Sequence, residues 1–358
     1  MKSVKDSVCA VVYRDLKRIA EESYLDKISH QNIMITGGGG FIAYYITLAL
    51  LALNDEKGKN NTVFLLVRNQ KRAEDKYGEI LSRSDVKLLV QDVCTPFSFE
   101  GLTFGYIIHA ASSADAKHFD DDPIGVFNSN VIGTENVIDF CRKNQTCKAI
   151  AYISSFTVYG AVDPAVESIT EDYCGAEDWK TNRSCYSQGK RSAEFLCLSA
   201  FRKYGLPIRI IRPGFVYGAS SPEDNRVYAE IIRNVALQKP IVLQSSGLVY
   251  RSMIYVTDLI RGILRVLFCG KDGEAYNIAN EHVSIRQFAE GAVAAAKSSA
   301  VYLSFKTESD RAILPPVNVK GNMSNEKLKN ECGWTPEVSI LEGIAMAAEI
   351  YNYEYPTV

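Results

Sequence analysis

The stretch Ile33-Met34-Ile35-Thr36-Gly37-Gly38-Gly39-Gly40-Phe41-Ile42-Ala43 constrains this chain more than any other. It reads as a buried strand, a glycine turn and the start of a helix. Such a turn holds a dinucleotide pyrophosphate against a helix N-terminus, where unpaired amides and the helix dipole favour an anion. Gly37 permits the sharp turn, Gly40 lets the backbone approach phosphate, and Ala43 lets the helix pack closely. A flexible loop is also rich in glycine. The apolar strand before the run, the apolar helix after it and the pattern downstream argue against that alternative.

Downstream, strand and helix patterns alternate. Strands are expected at Asn32–Ile35, Thr62–Val67, Lys87–Leu89, Tyr106–His109, Lys148–Ser154 and Pro207–Arg212. Helices are expected at Ala43–Leu53, around Val126–Arg142 and at Ser187–Tyr204. Strands joined by helical crossovers make a parallel sheet, and nearly continuous apolar strands fit a sheet covered on both faces. The expected fold is therefore α/β, a Rossmann-type doubly wound parallel sheet with a smaller C-terminal substrate-binding lobe. We place an N-terminal helical extension at 1–30, where Val8, Val11, Val12, Leu16 and Ile19 recur near helical spacing. The dinucleotide-binding domain is placed at 31–212 and the lobe mainly at 213–358, with about 240–275 returning to the first domain. Loops are expected around Ser220–Asn225 and Thr307–Gly321.

Composition removes several function classes. The net charge of -2 gives no overall positive field for nucleic acid or an anionic membrane. Any anionic substrate must then be held by local arginines. The apolar run Phe41 to Leu53 is far shorter than the ~20 residues of a membrane span. Nine cysteines, an odd number without CxxC spacing, argue against a disulfide framework and a zinc site, so no metal is expected and the cytoplasm is the expected compartment.

Two further features carry chemistry. Tyr186 and Lys190 lie four residues apart in an expected helix and share one face, where an ammonium favours the phenolate. Strand two ends Leu66-Val67-Arg68-Asn69, with Lys71 and Arg72 following. A cation here suits the 2′-phosphate of NADP, whereas an acidic residue suits the ribose of NAD. A solvated basic turn would hold the same residues and accept either cofactor, so NAD stays the alternative. Asp92 stands where it can accept from an adenine amine; a solvated loop aspartate would look the same.

At this point a resemblance emerges. Thr36–Ile42, His109-Ala110-Ala111, Asn130–Asn136, Ser154–Gly160, Tyr186–Lys190, Arg212-Pro213 and Val216-Tyr217-Gly218 stand in the order found in extended short-chain dehydrogenase/reductases. Arg251–Asp258, Tyr276-Asn277-Ile278 and Gly333-Trp334-Thr335-Pro336 continue the series, so about 31–347 is covered. Within that family the chain resembles nucleotide-sugar epimerases, dehydratases and decarboxylases, and Arg183–Arg191 is most similar to the UDP-glucuronate decarboxylase (UDP-xylose synthase) form. The resemblance implies that Tyr186 is the general base at the sugar C4 hydroxyl. It implies that Ser155 bonds the same hydroxyl and that Lys190 lowers the Tyr186 pKa and binds the nicotinamide ribose. Cofactor contacts are implied for Gly37, Gly40, Phe41, Ile42, Arg68, Asp92, Val93, His109, Ala110, Ala111, Asn130, Tyr186, Lys190 and Pro213. Substrate contacts are implied for Ser113, Thr157, Arg226 and Arg251, the two arginines on the nucleotide diphosphate. A homodimer is implied, paired through the helices around Val126–Arg142 and Ser187–Tyr204. Val131, Val137, Ile138, Phe195, Leu196 and Leu198 are the apolar positions for that contact.

Departures from the pattern matter as much. Dehydratases carry an Asp-Glu pair just after the Ser/Thr, and decarboxylases keep a Glu two residues after it; here stand Phe156 and Thr157. The Asn expected three residues after Arg212 is Phe215. Epimerisation or 4-keto reduction is therefore the favoured outcome. A lyase reaction, with Glu171 or Asp172 supplying the acid, is one alternative, and reduction of a non-sugar carbonyl is another. Lys117 and His118 are read as solvated loop residues at the crevice mouth, and Trp179 and Trp334 as packing residues.

Overall fold

The computed structural model describes residues 2–114, 116–306 and 321–356. Along the chain, α1 (Val4–Ser7) and α2 (Ala10–Glu21) precede β1 (Asn32–Thr36). Then come α3 (Phe41–Lys57), β2 (Thr62–Val67), α4 (Gln70–Tyr77), β3 (Val86–Val90) and β4 (Tyr106–His109). Next are α5 (Ala116–Asp121), α6 (Pro123–Lys143), β5 (Ala149–Ile153), β6 (Ser168–Ile169), α7 (Ser184–Tyr204) and β7 (Ile208–Pro213). Further on are β8 (Phe215–Tyr217), α8 (Val227–Ala236), β9 (Ile241–Leu243), β10 (Tyr250–Tyr255), α9 (Val256–Cys269) and β11 (Ala275–Ile278). The last elements are β12 (His282–Ser284), α10 (Ile285–Ala296), β13 (Leu303–Phe305), β14 (Asn322–Met323), α11 (Glu326–Cys332) and α12 (Ile340–Glu354).

Seven strands form one parallel sheet in the order β11-β7-β5-β4-β1-β2-β3. The chain runs outward from β1 to β3, then restarts at β4 on the other side. The carboxyl ends of β1 and β4 therefore flank a topological switch point, where open α/β sheets bind ligands. Alternation along β1 serves both faces: Ile33 and Ile35 join the core under α3 and α9, while Met34 joins the core under α6 and α7. This is why the strands read as unbroken apolar runs.

The helix after the glycine turn runs further than its apolar stretch, to Lys57, and stops at Gly58 in the left-handed region (φ 59°). It is buried nearly all round, from Tyr45 to Leu53, because α2 covers its outer side. That contact explains the apolar stripe Val11, Val12, Leu16 and Ile19, each a side chain whose burial stabilises by roughly 1.5–3 kcal/mol. Helix α4 has no apolar signature in the sequence; Asn69 caps it by accepting from the Arg72 amide at 2.9 Å. Beyond 213, β8, β10 and β12 form a small sheet, and α8, α10 and α12 pack together. Strand β11 nevertheless pairs with β7, and α9 packs on β5 and β7, so this part of the chain re-enters the central sheet. The loop expected at Thr307–Gly321 lies, apart from Gly321, outside the described residues. No helix among the described residues is long and apolar enough to cross a membrane.

Candidate active site

The glycine turn is fixed from both sides. Gly37 has φ +69°, and a Cβ there would lie 2.7 Å from the Ala111 Cα and 2.9 Å from the Ala110 carbonyl oxygen. Only glycine allows the turn after β1 to approach the turn after β4 this closely. Gly40 is the N-cap of α3, so the first amides of α3, beginning at Phe41 and Ile42, lie at a helix start whose N–H groups lack intrahelical partners. From behind, the Lys76 ammonium donates to the carbonyls of Gly39 (3.2 Å) and Gly40 (3.0 Å), and the Tyr77 phenol to that of Gly38 (2.7 Å). Burial lowers the Lys76 pKa to about 8. These two braces were not foreseen, because nothing in Gln70–Tyr77 distinguishes them from ordinary helix residues. The turn and helix start fit a dinucleotide pyrophosphate.

His109 and Asn130, expected to contact the cofactor, lie beneath the crevice floor instead. Thr134 gives its one proton to the Asn130 carbonyl (2.5 Å), so it accepts from His109 Nε2–H at 3.1 Å. His109 Nδ1 then accepts from Thr36 Oγ1 at 2.7 Å, and Thr36 Oγ1 in turn accepts the amides of Ala110 and Ala111. The ring is a strut between the two turns. Burial, with Lys190 nearby, pushes the His109 pKa down to about 3. Asn130 is fully buried, donates to the Val126 carbonyl and packs against Gly189 of α7. Both positions are turned inward because α6 and the sheet close over them.

At the far end of the crevice, Arg68 follows β2 and Asp92 follows β3. Their charged groups are 3.8 Å apart and both well exposed, so the pair contributes little and leaves the guanidinium accessible. Asp92 also accepts the Cys94 amide at 2.8 Å. Val93 packs beneath Gly133 of α6, and Pro213 closes β7 in a buried position. Ala110, Ala111 and Ser113 are partly exposed in the turn after β4.

Ser155 ends the run after β5 and caps a 3-10 turn over Phe156–Tyr159. Tyr186 and Lys190 lie on the first turns of α7, and the structure brings all three together. The Ser155 hydroxyl lies close enough to the Tyr186 phenol to favour its ionised form, and Thr157 Oγ1 donates to Ser155 Oγ at 3.0 Å. The Lys190 ammonium donates to the Ile153 carbonyl at 2.6 Å and lies 5.7 Å from the Tyr186 ring centroid. Burial raises the Tyr186 pKa above its ordinary value, opposed by the Ser155 bond and by Arg226. The expected lowering of this pKa by Lys190 is thus corrected: desolvation wins, and the ammonium is directed at Ile153. Burial also lowers Lys190 to about 7, with Glu194 opposing. Glu194 is bound by both arms of Arg212 (2.9 and 2.6 Å), which anchors α7 to β7. Phe119 of α5 stacks on Tyr186, with centroids 5.4 Å apart.

The two candidate diphosphate arginines differ. Arg226 is already held by Asp224, with Nε 2.9 Å from Oδ1. Arg251 donates to the Tyr250 carbonyl at 2.8 Å, and among the described residues no carboxylate lies within ion-pair distance. Burial lowers its pKa. Glu171 accepts the Asn277 amide at 2.8 Å and gives its carbonyl to Arg212, so it sits with the Tyr159 support rather than with Tyr186; Asp172 is exposed. Lys117 and His118 are exposed on α5, a short helix rather than a loop. Trp334 is buried, but Trp179 is 74% exposed and is no packing residue, because its loop runs over the surface before α7.

The family model described as the NAD dependent epimerase/dehydratase family matches residues 33–279. UDP-glucuronic acid decarboxylase 6 of Arabidopsis thaliana is 28% identical over 326 residues, 90% of each chain. UDP-glucuronic acid decarboxylase 1 of Danio rerio is 26% identical, over 92% of this chain and 75% of its own. Among solved structures, UDP-glucuronic acid 4-epimerase from Bacillus cereus, in complex with UDP-glucuronic acid and NAD, aligns with TM-score 0.73 at 20% identity, over 90% of this chain and 100% of that one. The dTDP-glucose 4,6-dehydratase from Bacillus anthracis, in complex with NAD, also gives 0.73, at 22% identity over 91% and 97%. The chain belongs to the NAD dependent epimerase/dehydratase family and is an enzyme of the extended short-chain dehydrogenase/reductase type.

Proposed function

We propose that this enzyme changes C4 of a nucleotide-diphosphate sugar by hydride transfer, as an epimerase or 4-keto reductase, without losing water or carbon dioxide. One observation supports the reading: Ser155, Tyr186 and Lys190 converge at the carboxyl end of β5, while Phe156 and Thr157 place no carboxyl group next to Ser155. In this reading Tyr186 takes or returns the C4 hydroxyl proton, and Ser155 aligns that hydroxyl. Lys190, beside Tyr186 and titrating near neutrality, binds the nicotinamide ribose and supports proton movement. The nicotinamide, when bound, supplies the hydride acceptor or donor. Arg251 holds the diphosphate, since its guanidinium is the one not tied to a carboxylate, with Arg226, Ser113 and Thr157 completing the substrate side.

The cofactor of the family is NAD. Arg68 supports the narrower proposal that this chain prefers NADP. The exposed Ile124, Ile132 and Phe195, on the outer faces of α6 and α7, support a homodimer paired through those helices. Val137 and Ile138 are buried within the subunit and do not join that face. A second reading, decarboxylation of a UDP-uronate, is favoured by the names of the relatives. Incubation with UDP-glucuronate, UDP-glucose and dTDP-glucose, followed by product mass, tests the choice. Products of unchanged mass, or two hydrogens apart, fit the proposal; a product lighter by water or carbon dioxide contradicts it.

A further inference from the structure

The amides that open α3 carry partial positive charge, so a cation placed beside them is repelled. Lys76 of α4 is nevertheless there. Its ammonium donates to the carbonyls of Gly39 at 3.2 Å and Gly40 at 3.0 Å, and lies over the Tyr44 ring, 5.3 Å from the centroid. Tyr77 fixes this arrangement: its ring meets that of Tyr44 edge-on at 5.3 Å, and its phenol donates to the Gly38 carbonyl at 2.7 Å. The Gly40 carbonyl already accepts the Tyr44 amide at 3.1 Å, as the first acceptor of the helix, so it is no stranded group that needs Lys76. Among the described residues no carboxylate pairs with the ammonium; Glu354 of α12 acts on it only from a distance, and Arg72, one turn back on α4, repels it. The last turn of its own short helix favours a cation there. The start of α3 does not. A half-buried ammonium at that start is an arrangement that an arriving anion relieves.

We infer that Lys76 is a positioning residue for the cofactor, its ammonium polarising the peptide groups of the glycine turn toward the pyrophosphate. Each carbonyl it touches shares a peptide group with the amide of the next residue. The Gly40 carbonyl and the Phe41 N–H form one such group, and Phe41 is the first residue of α3. Drawing electrons toward the carbonyl makes that N–H a stronger donor, as hydrogen bonds in series reinforce one another. The Gly39 carbonyl shares its group with the Gly40 N–H, which donates to the Gly37 carbonyl at 2.8 Å and closes the turn. One ammonium thus strengthens both the donor offered to the anion and the bond that holds the turn in shape, and it adds a positive charge behind them. The diphosphate is common to NAD and NADP, so this role is independent of Arg68 and of the chemistry at C4.

Calorimetric titration of ADP, NAD and NADP into wild type, Lys76→Gln and Lys76→Arg tests this. Glutamine keeps an N–H donor for one carbonyl and removes the charge; arginine keeps both. Lys76→Gln should bind all three ligands about 10-fold more weakly, the scale of one charge at a partly buried helix end, while Lys76→Arg should bind nearly as wild type does. Wild-type affinity for ADP should also fall severalfold between about pH 7.5 and about pH 9.5, and that of Lys76→Arg should stay level, because an arginine does not titrate there. The Lys76 pKa, about 8, lies in that interval. Arg72 and the Tyr44 and Tyr77 phenols, both raised by burial, keep their protons across it, and Glu354, raised to about 7, is largely ionised throughout. Wild-type affinities in Lys76→Gln would show a brace alone and overturn the inference. So would a loss confined to NADP, which would assign Lys76 to the 2′-phosphate, an equal loss in Lys76→Arg, or failure of wild type to bind any of the three ligands. If a variant fails to fold, a level wild-type pH profile overturns the inference by itself. None of these outcomes bears on the C4 reading, which product mass tests separately.

Discussion

Acid should weaken the floor of the cofactor site through His109. The ring is held between Thr36 and Thr134, faces the Tyr152 ring at 5.5 Å, and has the Lys190 charge nearby. Its proton acceptor, Nδ1, is already engaged. The folded pKa is lowered to about 3, against an ordinary 6.5. Below 6.5 the unfolded chain takes up a proton that the folded chain refuses. Stability from this group is therefore complete above 6.5 and declines as pH falls toward 3. At about pH 5 the loss relative to about pH 8 is RT ln(1 + 10^1.5), or about 2 kcal/mol, whichever folded value below about 4 applies. Urea unfolding of wild type and His109→Gln at both pH values measures it. Glutamine does not titrate, so the variant should lose about 2 kcal/mol less than wild type over that interval, on top of a fixed cost at both. Parallel losses in the two proteins would refute a buried neutral histidine.

Gly37→Ala should abolish cofactor binding and lower Tm, because the left-handed backbone costs ~1–2 kcal/mol and the methyl meets the Ala111 backbone; cofactor titration and a thermal melt check both. Wild type should bind NADP more tightly than NAD, and Arg68→Ala should remove roughly 1.5–3 kcal/mol of that preference; equal wild-type affinities would show that the basic turn is only solvated. Phe195→Asp should convert a dimer to a monomer in light scattering, since Phe195 is 69% exposed on the outer face of α7; a monomeric wild type would remove the premise.

The fold was legible because its signals are local. Alternating strands and helices, and glycine at a φ that other residues avoid, are written in the order of residues. The convergence of Ser155, Tyr186 and Lys190 was legible for the same reason, since the end of β5 and the start of α7 bring them together. What escaped was set by side-chain direction. His109 and Asn130 sit in the right segments but point inward, where Thr36, Thr134 and Gly189 enclose them. Lys76 and Tyr77 reach the glycine turn from a helix that carries no pattern of its own. The Tyr186 pKa was misjudged because helical spacing reports a shared face and not burial. Phe156 and Phe215 were each noticed as substitutions, but their contact joins β5 to β8 and has no signature in the sequence.

The assignment of Tyr186 is tested most directly by Tyr186→Phe, which keeps the ring stacked on Phe119 and removes only the hydroxyl. Cofactor affinity should be unchanged, while the rate of nicotinamide reduction or oxidation with a nucleotide-sugar substrate should fall by ~10²–10⁴-fold, the usual effect of losing a general base. Retention of more than about half of the wild-type rate would contradict the account.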